Sequence, residues 1–145
     1  MMQWNPYLAF NGKCEAAFKF YEKCLGGKIV MMSRYSEMPP SDQAGCGEMP
    51  ADAMNRIMHA RLVVGNQTLM GGDCPPGMPY NGIHGNCVAV QVDTAEQAEK
   101  LFKALSENGN VTMPIGETFW AVRFGMLSDQ FGVPWMVNCE KPMPK

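Results

Sequence analysis

The sequence predicts one α+β domain, built from two copies of a strand–helix–strands module that close around a small-molecule pocket. An apolar stripe at helical spacing occurs twice, each stripe ends at a glycine, and each is flanked by short apolar runs typical of strands. The repeat places the first module at residues 1–72 and the second at 87–140, joined by a linker at 73–86 within the single domain 1–145.

The first module begins with the apolar run 7–10, which is suited to a short strand. Gly26 and Gly27 then end a predicted helix near residues 13–25, because glycine adopts the left-handed stop conformation without strain. Residues 28–35 are predicted as the next strand. The helical stripe consists of Cys14, Ala17, Phe18, Tyr21, Cys24 and Leu25.

The second module repeats this order from a strand-like run at 87–92. Thr94 and Gln97 have the spacing of a capping box, which predicts the start of a helix near residues 94–107. The two helices align with Ala17 on Ala98, Tyr21 on Phe102 and Cys24 on Leu105. The later strands align with residues 58–62 over 120–124, and Trp120 and Trp135 are expected in the core.

Two long irregular stretches interrupt the modules. The stretch 36–55 contains Met38 and Met49, which favour a lid over the pocket because methionine adapts its shape to apolar ligands. A surface excursion without a special role is the alternative. The stretch 71–86 is rich in glycine and proline and is predicted to be the connection between modules.

Composition excludes several classes of function. The formal net charge is −2, without the basic patch of a nucleic-acid surface. No apolar stretch approaches the roughly 18 residues of a membrane helix, and the first residues lack the basic start and apolar run of a signal peptide. We therefore expect a cytoplasmic protein that binds neither nucleic acid nor membrane. Its six cysteines are scattered and are expected to be free thiols.

The alternation of side chains between the two faces of the predicted strands indicates a set of ligand-binding residues. His59 and Arg61 share one face of their strand, and Glu117, Phe119 and Arg123 share a face on the matching strand. The opposite faces are apolar and are expected beneath the helices: Met58, Ala60 and Leu62 in the first module, and Trp120, Val122 and Phe124 in the second. The polar set is therefore predicted to line the pocket.

These side chains suit either of two roles. Arg61 and Arg123 can bind a carboxylate or phosphate through two parallel hydrogen bonds, and Glu117 or His59 can act as the catalytic acid–base group. The alternative is that Glu117 forms a structural ion pair with an arginine and that His59 is an ordinary strand residue.

Several motifs resemble those of the PhnB-like branch of the vicinal oxygen chelate superfamily, which includes glyoxalase I, bleomycin-resistance proteins, fosfomycin-resistance enzymes and extradiol dioxygenases. The motifs are the segments 6–12, 20–21 and 25–27, and then 117–121, 124–125 and 129–136. The resemblance implies two βαβββ modules, an eight-stranded curled sheet around a cup, and a homodimer. Similar proteins are often labelled 3-demethylubiquinone-9 3-methyltransferase, but no glycine-rich turn for a nucleotide methyl donor is present.

Metal-using members of that superfamily hold a divalent ion on the first and last strands of each module. Carried over to this sequence, the four ligand places are Pro6, Met70, Cys87 and Met136. Proline has no side-chain donor, and thioethers and thiols do not suit hard or borderline ions, so no cofactor or usual metal is expected. A soft-metal site such as Cu(I) at the three sulfur residues is the alternative.

The functional hypothesis is a small-molecule-binding protein of this superfamily, with an anionic or amphipathic ligand and without the usual metal. One alternative is a lyase or isomerase that uses acid–base residues or a metal recruited elsewhere. Another is a drug-sequestering resistance protein, which would need an acidic, aromatic groove for a cationic drug.

Overall fold

The computed structural model describes residues 2–37, 51–75 and 78–142. The chain forms two compact units, residues 1–82 and 83–145, and each is described by itself. Met38, Met49 and Cys46 lie outside the described residues. No helix in the described ranges is both long and apolar enough to span a membrane.

Unit 1 has a βαβββ order with two short additions after its second strand. Its elements are β1 (Tyr7–Phe10), α1 (Cys14–Leu25), β2 (Lys28–Arg34), a 3-10 turn (Tyr35–Glu37), a one-turn helix α2 (Ala51–Met54), β3 (Ile57–Val64) and β4 (Gln67–Asp73). The predicted helix and strands are confirmed, whereas the stretch predicted as irregular contains the 3-10 turn and α2.

Unit 2 repeats the βαβββ order without additions. Its elements are β5 (Val88–Gln91), α3 (Ala95–Leu105), β6 (Asn110–Gly116), β7 (Ala121–Ser128) and β8 (Pro134–Glu140). Both modules predicted from the sequence are therefore present, each as a four-stranded sheet with one long helix.

The two sheets have the same topology. Their strand orders are β1-β4-β3-β2 and β5-β8-β7-β6. The first strand of each unit pairs in parallel with the last, and the remaining neighbours are antiparallel. One face of each sheet packs against the helix of its own unit; we call the opposite face the open face.

In unit 1 the helical stripe packs on the sheet as predicted. Phe18 and Tyr21 are fully buried and meet edge to face. The ring of Phe18 approaches β4 at Gly71, where a Cβ atom would lie 2.8 Å from the ring. Gly26 ends the helix in the left-handed conformation with φ of 71°.

In unit 2 the predicted capping box is present. The Thr94 hydroxyl accepts the Gln97 backbone N–H at 3.1 Å, and the Gln97 side chain accepts the Thr94 backbone N–H at 3.2 Å. Two free N–H groups at the helix start are thereby satisfied. Trp135, as predicted, is a core residue with 1% of its surface exposed.

A buried aspartate supports each unit. The Asp73 carboxylate accepts backbone N–H groups of Gly12, Cys14 and Ile57 at 2.8–3.0 Å, so it ties α1 to β3 at the end of β4. The Asp129 carboxylate accepts two backbone N–H groups and the Trp135 indole N–H. The sequence patterns predicted neither of these supporting roles.

The described cysteines are free thiols, as expected from their scattered positions. Cys14 is completely buried, and this burial, with the nearby Asp73 carboxylate, raises the pKa of its thiol far above the usual range. Because only the thiolate is a good nucleophile, Cys14 acts as a small core residue.

Candidate functional site

The open face of the first sheet is defined by strand register. Tyr7, Met70 and Arg61 are paired across β1, β4 and β3, and they share a face because cross-strand partners point to the same side. Ser33 and His59 are paired on β2 and β3 and extend the same surface. We call these five residues the first open face.

Contacts within the first open face hold an aromatic pair beside a cation. The rings of Tyr7 and His59 stack with centroids 5.9 Å apart and an interplanar angle of 25°. Arg61 Nη2 lies 3.9 Å from the Met70 sulfur, which is a weak acceptor. Among the described residues no carboxylate forms an ion pair with Arg61, so its guanidinium has most of its donors available.

Gly72 makes room for the Tyr7 phenol. A Cβ atom at Gly72 would lie 2.8 Å from the Tyr7 hydroxyl and 2.6 Å from the Met58 carbonyl oxygen. Partial burial, with smaller contributions from Cys14 and Asp73, raises the pKa of the Tyr7 phenol above its usual range. Near neutral pH the phenol is therefore protonated and can donate a hydrogen bond.

The predicted orientation of Arg123 is wrong. Arg123 shares the helix-facing side of β7 with Gly125, where an added Cβ atom would meet the Phe102 ring of α3. Its Nε donates to Glu99 Oε1 of α3 at 2.9 Å, and its Nη1 donates to the Val122 carbonyl. Arg123 is thus part of a helix–sheet ion pair and does not lie on an open face.

The error arises because the predicted alignment of the two modules placed Arg61 over Arg123. Arg61 pairs with Met70 on the last strand of its unit, and Met126 pairs with Met136, so the counterpart of Arg61 is Met126 and not Arg123. The displacement is an odd number of residues, and in a strand an odd shift exchanges the two faces. The alternation on β8 indicates the faces of that strand, with Trp135, Val137 and Cys139 buried, but only the register between the strands carries this to β7.

The ion-pair partner of Glu117 also differs from the predicted one. Its carboxylate accepts a hydrogen bond from Lys141 Nζ at 3.0 Å, so the expected ion pair with an arginine is replaced by one with lysine. This hydrogen bond and the lysine charge lower the pKa of Glu117. A carboxylate with a lowered pKa is a weak general base, which argues against the acid–base role.

The open face of the second sheet is largely apolar. Phe124 and Met126 on β7 are paired with Asn138 and Met136 on β8, and Gln91 on β5 is paired with Asn138. We call these five residues the second open face. The alternation used for the sequence prediction assigned Phe124 to the helix side and so missed this surface.

An aromatic ladder extends the second open face. The Phe119 ring is 4.8 Å from Trp120, and the Trp120 ring is 5.2 Å from Phe124, both edge to face. Phe119 is 89% exposed and Trp120 is 41% exposed. The prediction that Trp120 is a core residue, on the helix side with Phe124, is therefore wrong.

The four ligand places carried over from metal-using relatives do not fit a hard or borderline ion. Met70 lies on the first open face against Arg61, and Met136 lies on the second. Pro6 contributes only its carbonyl, which accepts the Met70 N–H at 3.0 Å, and Cys87 is exposed directly before β5. Within residues 2–37, 51–75 and 78–142 no cluster of three His, Cys, Asp or Glu side chains could hold a metal ion.

Comparisons place the chain among known proteins. The sequence profile of the glyoxalase/bleomycin resistance protein/dioxygenase superfamily matches residues 3–137. Protein PA1353 from Pseudomonas aeruginosa is 48% identical, covers 98% of this chain and 100% of its own, and superposes with a TM-score of 0.87. A PhnB protein from Bacillus cereus, proposed as a 3-demethylubiquinone-9 3-methyltransferase, is 26% identical with 95% and 99% coverage and a TM-score of 0.75. Protein YjdN of Escherichia coli is 32% identical over an alignment 148 positions long that covers 99% of each chain.

Proposed function

Because the chain belongs to the glyoxalase/bleomycin resistance protein/dioxygenase superfamily, we propose that it binds a small anionic or amphipathic molecule at its first open face, without the usual family metal. The observation that carries the proposal is the exposed Arg61 guanidinium, which within the described chain forms no ion pair and donates a side-chain hydrogen bond only to the Met70 sulfur. A guanidinium in this state can form two parallel hydrogen bonds with a carboxylate.

The neighbours of Arg61 support the same ligand chemistry. The Tyr7 hydroxyl and the Ser33 hydroxyl are further hydrogen-bond donors on this face, and His59 is held in place by its stack on Tyr7. The Tyr7 ring and the Met70 side chain provide an apolar surface beside these polar groups. An anionic head on Arg61 with an apolar body against Tyr7 and Met70 matches this pattern.

The matched pair Arg61→Ala and Arg123→Ala tests the proposal. Benzoate is the anionic probe, and benzamide is its neutral control. Titration calorimetry is expected to show that Arg61→Ala weakens benzoate binding about tenfold or more, since charge-assisted hydrogen bonds contribute about 1.5–3 kcal/mol. Arg61→Ala should leave the melting temperature nearly unchanged, because the residue is exposed.

The control variant is expected to keep its affinity for benzoate and to lose a little stability. Arg123→Ala removes an ion pair with Glu99 and should cost only about 0.2–1 kcal/mol of unfolding free energy, with benzoate affinity preserved. The proposal is contradicted when benzoate binds no more tightly than benzamide, or when both variants bind benzoate as well as the wild type.

We also propose that the chain forms a homodimer. The outer strands of the two sheets carry exposed apolar side chains: Val30 and Met31 on β2, and Val111 and Met113 on β6, each 43–54% exposed. Exposed apolar outer strands are favourable sites for association. Light scattering after size exclusion is expected to give twice the chain mass of 16.0 kDa. The double variant Val111→Lys and Met113→Lys should shift it toward the monomer; a wild type that is monomeric at high concentration would exclude the dimer.

A further inference from the structure

Three asparagine–glycine pairs occur in the chain, and each has the sequence of a deamidation site. They are Asn11–Gly12, Asn81–Gly82 and Asn108–Gly109. In deamidation the backbone nitrogen of the residue after asparagine attacks the side-chain amide carbon. Glycine permits this attack because it has no Cβ atom to restrict the backbone. All three asparagines are exposed, so exposure does not distinguish the pairs.

The structure distinguishes the pairs through the glycine nitrogen, which is the nucleophile. The Gly12 N–H donates to the Asp73 carboxylate at 2.8 Å, and the Gly109 N–H donates to the Ser106 carbonyl at 2.9 Å. A backbone nitrogen held in this way reacts only after a local opening breaks its hydrogen bond. Both pairs are therefore protected in the folded chain.

Gly82 does not have this protection. Its N–H donates no hydrogen bond within the part of the chain that the structure describes, and the residue lies outside helices and strands. The comparison with the other two pairs rests on the glycine nitrogen alone and does not depend on the contacts of the Asn81 side chain. The folded structure thus leaves one of the three nucleophiles available.

We propose that Asn81 is a self-modification site, at which the Gly82 nitrogen attacks the Asn81 side-chain amide carbon. The new C–N bond closes a succinimide ring, the attacking nitrogen gives its proton to the solvent, and the side-chain nitrogen leaves as ammonia. Water then opens the ring at either carbonyl and yields aspartate or isoaspartate. One water is consumed and one ammonia is released, without any change of oxidation state.

The product changes both the charge and the length of the segment around residue 81. One neutral amide becomes one carboxylate, so the formal net charge changes from −2 to −3. Isoaspartate also routes the main chain through the former side chain, which lengthens it by one carbon atom. The neighbouring Tyr80 hydroxyl donates to the Ala9 carbonyl of β1 at 3.0 Å, so the longer chain begins directly beside this anchor. Residues 80–82 do not belong to the first open face, so this proposal and the anion proposal can fail separately.

Incubation of the folded full chain at mildly alkaline pH, followed by digestion and mass spectrometry, measures the conversion of all three asparagines. Asn81 is expected to react about tenfold or more faster than Asn11, because a hydrogen bond to a carboxylate must first open at Gly12. The advantage over Asn108 should be smaller, about threefold or more, because Gly109 donates to a neutral carbonyl. Equal rates at the three sites of the folded chain, or a faster reaction at Asn11 or Asn108, would overturn the proposal.

Two controls test the cause of the difference. In guanidinium chloride both protecting hydrogen bonds are lost, so the three sites should react at similar rates; a denatured chain that keeps the native ranking would overturn their protective role. Asn81→Gln retains an amide but carries an additional methylene that disfavours ring closure. This variant should lose the conversion at position 81 and keep the melting temperature and the rates at Asn11 and Asn108. If ion exchange shows the more negative species accumulating equally in the wild type and Asn81→Gln, the assignment to Asn81 is wrong.

Discussion

Replacing Asp73 with alanine is expected to lower the free energy of unfolding by about 3–5 kcal/mol, among the largest losses available to a single substitution. The carboxylate is only 5% exposed and accepts the backbone N–H groups of Gly12, Cys14 and Ile57. Alanine would leave these donors without an acceptor, and the N–H groups of Cys14 and Ile57 are buried, where water has little access. Urea denaturation followed by circular dichroism measures the loss.

The controls separate the hydrogen bonds from the charge. Asp73→Asn keeps one acceptor oxygen and should lose less than the alanine variant. Asp93→Asn changes an exposed carboxylate just before α3 and should stay within about 0.5 kcal/mol of the wild type. If Asp73→Ala unfolds at the same urea concentration as Asp93→Asn, the buried carboxylate does not stabilise the link between α1 and β3.

Substituting Gly71 with alanine is the second severe change. The added Cβ atom would lie 2.7 Å from the Leu8 carbonyl oxygen of the neighbouring strand and 2.8 Å from the Phe18 ring. A backbone atom of a paired strand cannot rotate away, so β1 or α1 must shift. Overpacking of this kind costs about 2–3 kcal/mol, measurable as a lower melting temperature.

Gly116 provides the matched control for this substitution. It also lies in a strand, its φ is outside the left-handed region, and a Cβ atom there meets nothing within 4 Å. Gly116→Ala should therefore be neutral or slightly stabilising, because alanine reduces the freedom of the unfolded chain. Equal losses from Gly71→Ala and Gly116→Ala would contradict the packing explanation.

The modules could be predicted from the sequence because amphipathic helices leave a strong local signal. The stripe through Phe18 and Tyr21, the stop at Gly26 and the capping box at Thr94 each depend only on nearby residues. The structure confirms all of them. Local patterns of this kind determine where helices begin and end before any tertiary contact is considered.

The faces of β7 could not be predicted in the same way. Apolar residues occupy both sides of this strand, with Phe124 and Met126 on one and Gly125 and Leu127 on the other, so apolarity does not distinguish them. Only the register with β8 identifies the side that packs on α3. The predictions for His59 and Arg61 were more secure, because the opposite face of β3 is clearly apolar at Ala60 and Leu62.

The polar supports were missed for a different reason. Asp73 acts on backbone groups from two distant segments, and the Asn138 Oδ1 atom accepts no hydrogen bond from the described residues. Neither property has a counterpart in residue spacing. Both become visible only when the backbone path is known.

The parallel pairing of β1 with β4 also constrains the order in which unit 1 can form. The strands β2, β3 and β4 are sequential neighbours, with β3 and β4 joined by a short turn and β2 and β3 joined by residues 35–56, whereas β1 must wait for a partner at the far end of the module. Closing that long loop costs chain entropy before any contact compensates, which slows the step. During synthesis on the ribosome, Tyr7–Phe10 therefore remains unpaired until the segment ending at Asp73 has emerged. Association of this strand with other chains is most favourable in that interval, before the sheet is complete.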